Sequence, residues 1–157
     1  MDRRDLARAL TDPESIIAPE RSREPWCVLG VTGAPGVGKS CLVDHLVKQW
    51  LEDGEKVAIL AVDPSSPISG RALLGDRMRM ASVDNGENVF FRSIATRNLP
   101  GGVPSNLNRM VDLLVEQGWS KVIIETVGAG QSEIRVVAVA DRILPVSYTH
   151  LTLPTKA

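Results

Sequence analysis

A chain of 157 residues with 43% hydrophobic and 24% charged side chains and a formal net charge of −1 can bury one ordinary core, since domains usually run to about 100–200 residues. The composition excludes a disordered tail, a collagen-like repeat and a small disulfide scaffold, and the lack of positive charge argues against nucleic acid as a partner. Two cysteines, Cys27 and Cys41, are too few for a disulfide framework and show no metal-ligand spacing, which fits a reducing cytosol.

Residues 2–11 predict a short N-terminal helix with Leu6, Ala9 and Leu10 on one side, closed by Asp12-Pro13. Residues 18–25 are polar, carry two prolines and read as a linker, so residues 1–25 form an extension and residues 26–144 the main domain. Within that domain Trp26–Val31 predicts a buried strand, 39–52 a helix, Lys56–Val62 a second strand, 105–117 a helix and Val122–Thr126 a further strand. Continuous apolar strands alternating with helices imply an α/β fold, a mostly parallel sheet with helices on both faces. No apolar run approaches the roughly 18 residues of a membrane span, and Met1-Asp-Arg-Arg-Asp5 opens no signal core. A soluble cytoplasmic protein without a membrane partner is therefore expected.

Between the first strand and the next helix stands Gly33-Ala34-Pro35-Gly36-Val37-Gly38-Lys39-Ser40, a match to G-x-x-x-x-G-K-[ST] in its confirming context. Glycines let the backbone wrap a phosphate so that its N–H groups point inward, and the following helix adds its positive end. Lys39 then reaches the β and γ phosphates and Ser40 places its hydroxyl on Mg²⁺. The motif specifies a nucleoside triphosphate with magnesium, in a P-loop NTPase, without specifying the base.

In open parallel sheets the ligand sits beyond the carboxyl ends of the strands. Asp63 follows the second strand, and Pro64 biases it toward an extended conformation. Glu125 ends the last apolar run, where an acid is costly unless paired or near a metal. Either acid can hold Mg²⁺ or orient the attacking water. The competing readings are a turn or cap for Asp63 and an arginine-paired strand end for Glu125. Gly128 and Gly130 suit a segment, residues 126–133, that moves onto a γ-phosphate and is released after hydrolysis.

The phosphate loop, Ala61-Val-Asp-Pro-Ser-Ser-Pro-Ile-Ser-Gly70, Leu74-Gly-Asp-Arg-Met-Arg-Met80 and Glu125-Thr-Val-Gly-Ala-Gly-Gln-Ser-Glu133 together resemble the methylmalonyl-CoA-mutase-associated GTPases, the MeaB/ArgK group related to the human methylmalonic aciduria type A protein. The resemblance runs from about residue 2 to about residue 144. It implies that Gly33 to Cys41 and Gly128 contact the nucleotide, that Lys39, Asp63 and Glu125 are catalytic, and that Ser40, Asp63, Asp76 and Glu125 surround Mg²⁺ and the hydrolytic water. It further implies slow GTP hydrolysis coupled to an adenosylcobalamin-dependent acyl-CoA mutase, which the protein protects while gating cofactor delivery, and a homodimeric full-length parent. An older label for the group, an ATP-dependent kinase of a transport system, is the rival reading.

Cys41 departs from the family's usual Thr, and Arg97-Asn-Leu-Pro-Gly-Gly-Val-Pro104 departs from its usual loop, with prolines that delay the next helix. Family members continue past the strand near Ile143-Leu144 into an Asn-Lys-x-Asp motif and a helical arm, which are not found here, so a C-terminally truncated domain is expected. Residues 145–157 instead resemble a translated sequencing adapter and are read as a non-native tail. That tail holds the only tyrosine, Tyr148, and one of the two histidines, His150, and neither is taken as functional. An inert fragment is accordingly a third reading. Of the weaker signals, His45 reads as solvent-facing, Arg77 and Arg79 as surface ion pairs or phosphate contacts, and Trp26, Trp50 and Trp119 as packing at element ends, while water positioning is only the minor reading of Gln131.

Overall fold

The computed structural model describes residues 1–11, 21–22, 24–63, 86–95, 106–126 and 131–148. In chain order these form α1 (Arg3–Ala9), β1 (Val28–Thr32), α2 (Lys39–Glu52), β2 (Val57–Asp63), β3 (Val89–Ala95), α3 (Leu107–Glu116), β4 (Lys121–Thr126), α4 (Gln131–Val139) and β5 (Arg142–Pro145).

The five strands make one sheet in the order β3-β2-β4-β1-β5, and every pairing is parallel. Alternate residues of each strand point to opposite faces. Val28, Leu60, Val62, Val122 and Ile124 pack with α1, α3 and α4. Leu29, Val31, Ile59 and Ile123 pack with Val43 and Val47 of α2. Burial on both faces explains the unbroken apolar runs, each such side chain contributing about 1.5–3 kcal/mol of transfer free energy.

The N-terminal helix is built into this core. Asp2 caps it, accepting from the N–H groups of Arg4 at 2.7 Å and Asp5 at 2.8 Å. Leu6 and Leu10 are buried beside Phe90 and Ile94. From β3, the Arg92 guanidinium donates to the Ala7 carbonyl and, at 2.9 Å, to Thr11 Oγ1, placing a cation at the negative end of the helix.

At the amino ends of the strands Asp141 gathers a second network. Its carboxylate accepts from the Cys27 N–H at 3.0 Å, the Val28 N–H at 2.9 Å and Arg21 Nη1 at 2.7 Å, and Arg21 Nε also lies 3.4 Å from Asp112. Burial by itself raises the Asp141 carboxyl, but the hydrogen bonds from Cys27 and Val28 and the Arg21 charge outweigh it and hold the group below its ordinary value. Burial, then Asp141, pushes the Cys27 thiol up, so it packs as a small apolar group. The tryptophans close element ends as expected: Trp26 lies 6.1 Å from Trp50 and Trp119 lies 5.7 Å from Phe90.

The predicted helix over 39–52 is observed with those bounds, and the other predicted elements are displaced by one or two residues. Three elements add to the predicted order. Arg92 and Ser93 interrupt the apolar run of β3, β5 was anticipated only through the family resemblance, and α4 starts at Gln131, inside the segment read as a moving loop. Only residues 127–130 of that segment lie between β4 and α4.

Candidate functional site

β1 delivers the chain to the carboxyl end of the sheet at Thr32, and the loop begins there. Gly33, Gly36 and Gly38 have φ of +139°, +76° and +96°, backbone that side chains with a Cβ rarely adopt. Gly33 is also pressed against the chain after β5, since a Cβ on it would stand 2.1 Å from the Val146 carbonyl oxygen. Gly38 is the N-cap of α2 and supplies no side-chain cap, which leaves the first N–H groups of the helix facing the loop's interior.

Lys39 is buried at the mouth of the loop, where its ammonium donates to the carbonyls of Gly33 at 2.7 Å and Ala34 at 2.8 Å. Ser40 Oγ donates to Glu125 Oε1 at 3.0 Å. Glu125 is 4% exposed, and the register sets it opposite Val31 of β1 on one side and Ala61 of β2 on the other. The acid expected at a strand end is thus beside the phosphate loop, in contact with the hydroxyl the motif assigns to the metal. Behind it Thr126 is fully buried, its hydroxyl 3.5 Å from the Val31 carbonyl.

A serine hydroxyl and a carboxylate oxygen suit Mg²⁺, which takes hard oxygen ligands, keeps several waters and uses one or two protein groups beside substrate phosphates. Among the described residues no cluster of three or more His, Cys, Asp or Glu offers an all-protein metal cage, and a magnesium shared with a nucleotide needs none. Asp63 closes β2 one position beyond the Val62–Thr126 pairing, at the same end of the sheet. Its side chain, together with Asp76, Gly128, Arg77, Arg79 and His150, lies outside the described residues, as does the side chain of Gln131. Cys41 is exposed on the first turn of α2. His45 is exposed, with its ring Nδ1 2.8 Å from the Cys41 carbonyl. The Tyr148 hydroxyl, set aside in the sequence, donates to the Gly36 carbonyl.

A cavity of about 710 Å³ lined by Trp26, Cys27, Asp112, Trp119 and Lys121 lies at the amino ends of the strands. It has no glycine loop and no helix N-terminus, so its volume does not make it the nucleotide site.

A family model described as methylmalonyl-CoA mutase-associated GTPase MeaB matches residues 16–151. The chain is 41% identical to the GTPase ArgK of Escherichia coli over 121 residues, 74% of this chain and 37% of that protein. It is 42% identical to a fused isobutyryl-CoA mutase of Nocardia farcinica over 151 residues, 87% of this chain and 14% of that protein. Relatives from two Pyrococcus species are matched over 39% and 49% of their length, so the chain spans less than half of the proteins it matches. Among solved structures, the signal recognition particle receptor FtsY of Elizabethkingia anophelis superposes with a TM-score of 0.53 at 24% identity, covering 92% of this chain and 47% of that one. That likeness concerns the fold.

Proposed function

Because this chain belongs to the methylmalonyl-CoA mutase-associated GTPase family, we propose that residues 26–144 are the phosphate-handling part of a GTPase that binds GTP with Mg²⁺, hydrolyses it and signals its nucleotide state to an adenosylcobalamin-dependent acyl-CoA mutase. The 3.0 Å contact between Ser40 and Glu125 carries the reading, because it joins the phosphate loop to an acid that packing alone does not explain. Loop N–H groups and the Lys39 ammonium neutralise the β and γ phosphates, the main contribution a protein makes to phosphoryl transfer. Ser40 and Glu125 would hold Mg²⁺, with Asp63 and Asp76 around it; bound there, the ion would supply positive charge to offset that of the phosphates. Glu125 or Asp63 orients a water in line with the bond between the β-γ bridging oxygen and the γ-phosphorus. The water oxygen bonds to phosphorus as the bond to the bridging oxygen breaks, one water proton stays on the released phosphate and the other passes to solvent, and GDP and phosphate leave.

Support for a mutase partner comes from relatives in Nocardia farcinica and Geobacillus kaustophilus, named fused isobutyryl-CoA mutases, which carry segments 42% and 40% identical to this chain. In this reading adenosylcobalamin is reached only through the mutase, and the parent is a cytoplasmic homodimer. The test is Lys39→Ala: nucleotide binding is expected to fall below detection, with hydrolysis reduced at least about 10²-fold. Unchanged turnover would overturn the assignment.

A further inference from the structure

Gly30 lies in the middle of β1, and its requirement is space. A Cβ there would stand 2.7 Å from Ile143 Cδ1, 2.8 Å from Val136 Cγ1 and 3.2 Å from Ala140 Cβ, whereas carbon atoms in contact rest about 3.5–4.0 Å apart. The Ile143 methyl is the far end of a flexible side chain and can turn aside. Val136 is fully buried and branches at Cβ, and the Ala140 Cβ is fixed to its backbone, so relief on that side requires α4 itself to move. α4 follows Glu125 and Thr126 in chain order, and its Val136 and Val139 pack in one cluster with Val122 and Ile124 of β4, the strand that Glu125 and Thr126 end.

We infer that Gly30 is a positioning residue for hydrolysis: the missing side chain seats α4 against β1 and β4, and so sets the place of the strand that ends in Glu125 and Thr126. The inference rests on the GTPase reading and adds to it a residue outside the phosphate-loop motif. It separates two tasks along one strand, with the end of β1 launching the loop that binds and its middle seating the helix that aligns.

The experiment compares the full chain with Gly30→Ala, Val136→Ala and the double variant. Three readouts are used: steady-state GTP hydrolysis, affinity for a fluorescent GDP, and amide hydrogen exchange over 127–140 with and without a non-hydrolysable GTP analogue and Mg²⁺. Gly30→Ala is expected to lower kcat about ten- to a hundredfold, to keep GDP affinity within about threefold, and to lose the analogue-dependent protection of 127–140. The double variant, which removes the Val136 methyl 2.8 Å from the new Cβ, is expected to recover both. Unchanged kcat and protection in Gly30→Ala overturn the inference, as does a parallel loss of kcat and GDP affinity that Val136→Ala does not correct. If Gly30→Ala does not fold, Val136→Ala alone must change the protection of 127–140 at constant GDP affinity, and unchanged protection is again contrary. A parent chain that neither hydrolyses GTP nor responds to the analogue removes the GTPase reading and the inference with it, whereas an active parent with an indifferent Gly30→Ala removes the inference alone.

Discussion

Glu125 stands between the buried Val31 of β1 and Ala61 of β2 and is itself 4% exposed, a place where a carboxylate costs several kcal/mol unless something answers its charge. Ser40 supplies one hydrogen bond, and in the proposed function Mg²⁺ would add a countercharge. Glu125→Gln keeps the shape and an acceptor for Ser40 while removing the charge, so phosphate release is expected to fall about 10²-fold or more with nucleotide affinity within about threefold; full turnover in this variant would remove Glu125 from the mechanism. Lys39, Ser40 and Glu125 were legible because their chemistry is written in local spacing. Arg21 and Asp141 were not, being 120 positions apart with no motif linking them. Their prediction concerns acid stability. The folded Asp141 carboxyl lies below its ordinary 3.8, so its stabilisation is fully present above that pH and is lost as pH falls from there through the folded value. Thermal melts should show a decline in that window that is flatter in Asp141→Asn, and Asp141→Ala should cost about 3–5 kcal/mol at neutral pH; parallel pH profiles would contradict this.

The elements differ in how they announced themselves. α2 was found with its bounds because Gly38 and Lys39 fix its start and Val43 and Val47 its buried face. β3 carries Arg92 in mid-strand, a residue that reads as a break until α1 is seen to need a cation at its C-terminal end. α4 was hidden by the glycines just before it, whose loop signal spread over residues that the structure gives to the helix. α1 was legible as a helix, but nothing in its sequence said that Leu6, at 3% exposure, would enter the core of the sheet. Leu6→Ala is accordingly expected to cost about 2–5 kcal/mol in urea unfolding of the whole chain. A cost below about 0.5 kcal/mol, the usual range for surface substitutions, would mean that α1 does not dock.

For the molecule as a whole, the sheet order places β4 between β1 and β2, which brings the phosphate loop, Glu125 and the end of β2 to one edge although they are distant in sequence. Such an edge is assembled only when all three strands are in register, so nucleotide binding and folding are linked, and a ligand that binds the folded state alone stabilises it by RT ln(1 + [L]/Kd), about 2.7 kcal/mol at a hundredfold excess. For a chain of 157 residues, about 2.7 kcal/mol corresponds to a rise in Tm of roughly 5–11 °C. Melts of the full chain with GTP or ATP and Mg²⁺ are expected to show that rise, and none for either nucleotide in Lys39→Ala. A larger rise with ATP would favour the transport-kinase reading, since the phosphate loop treats the two triphosphates alike and a preference must come from contacts to the base. A Tm indifferent to both nucleotides would mean that the strands pack without forming a competent edge, and would overturn nucleotide binding by this chain.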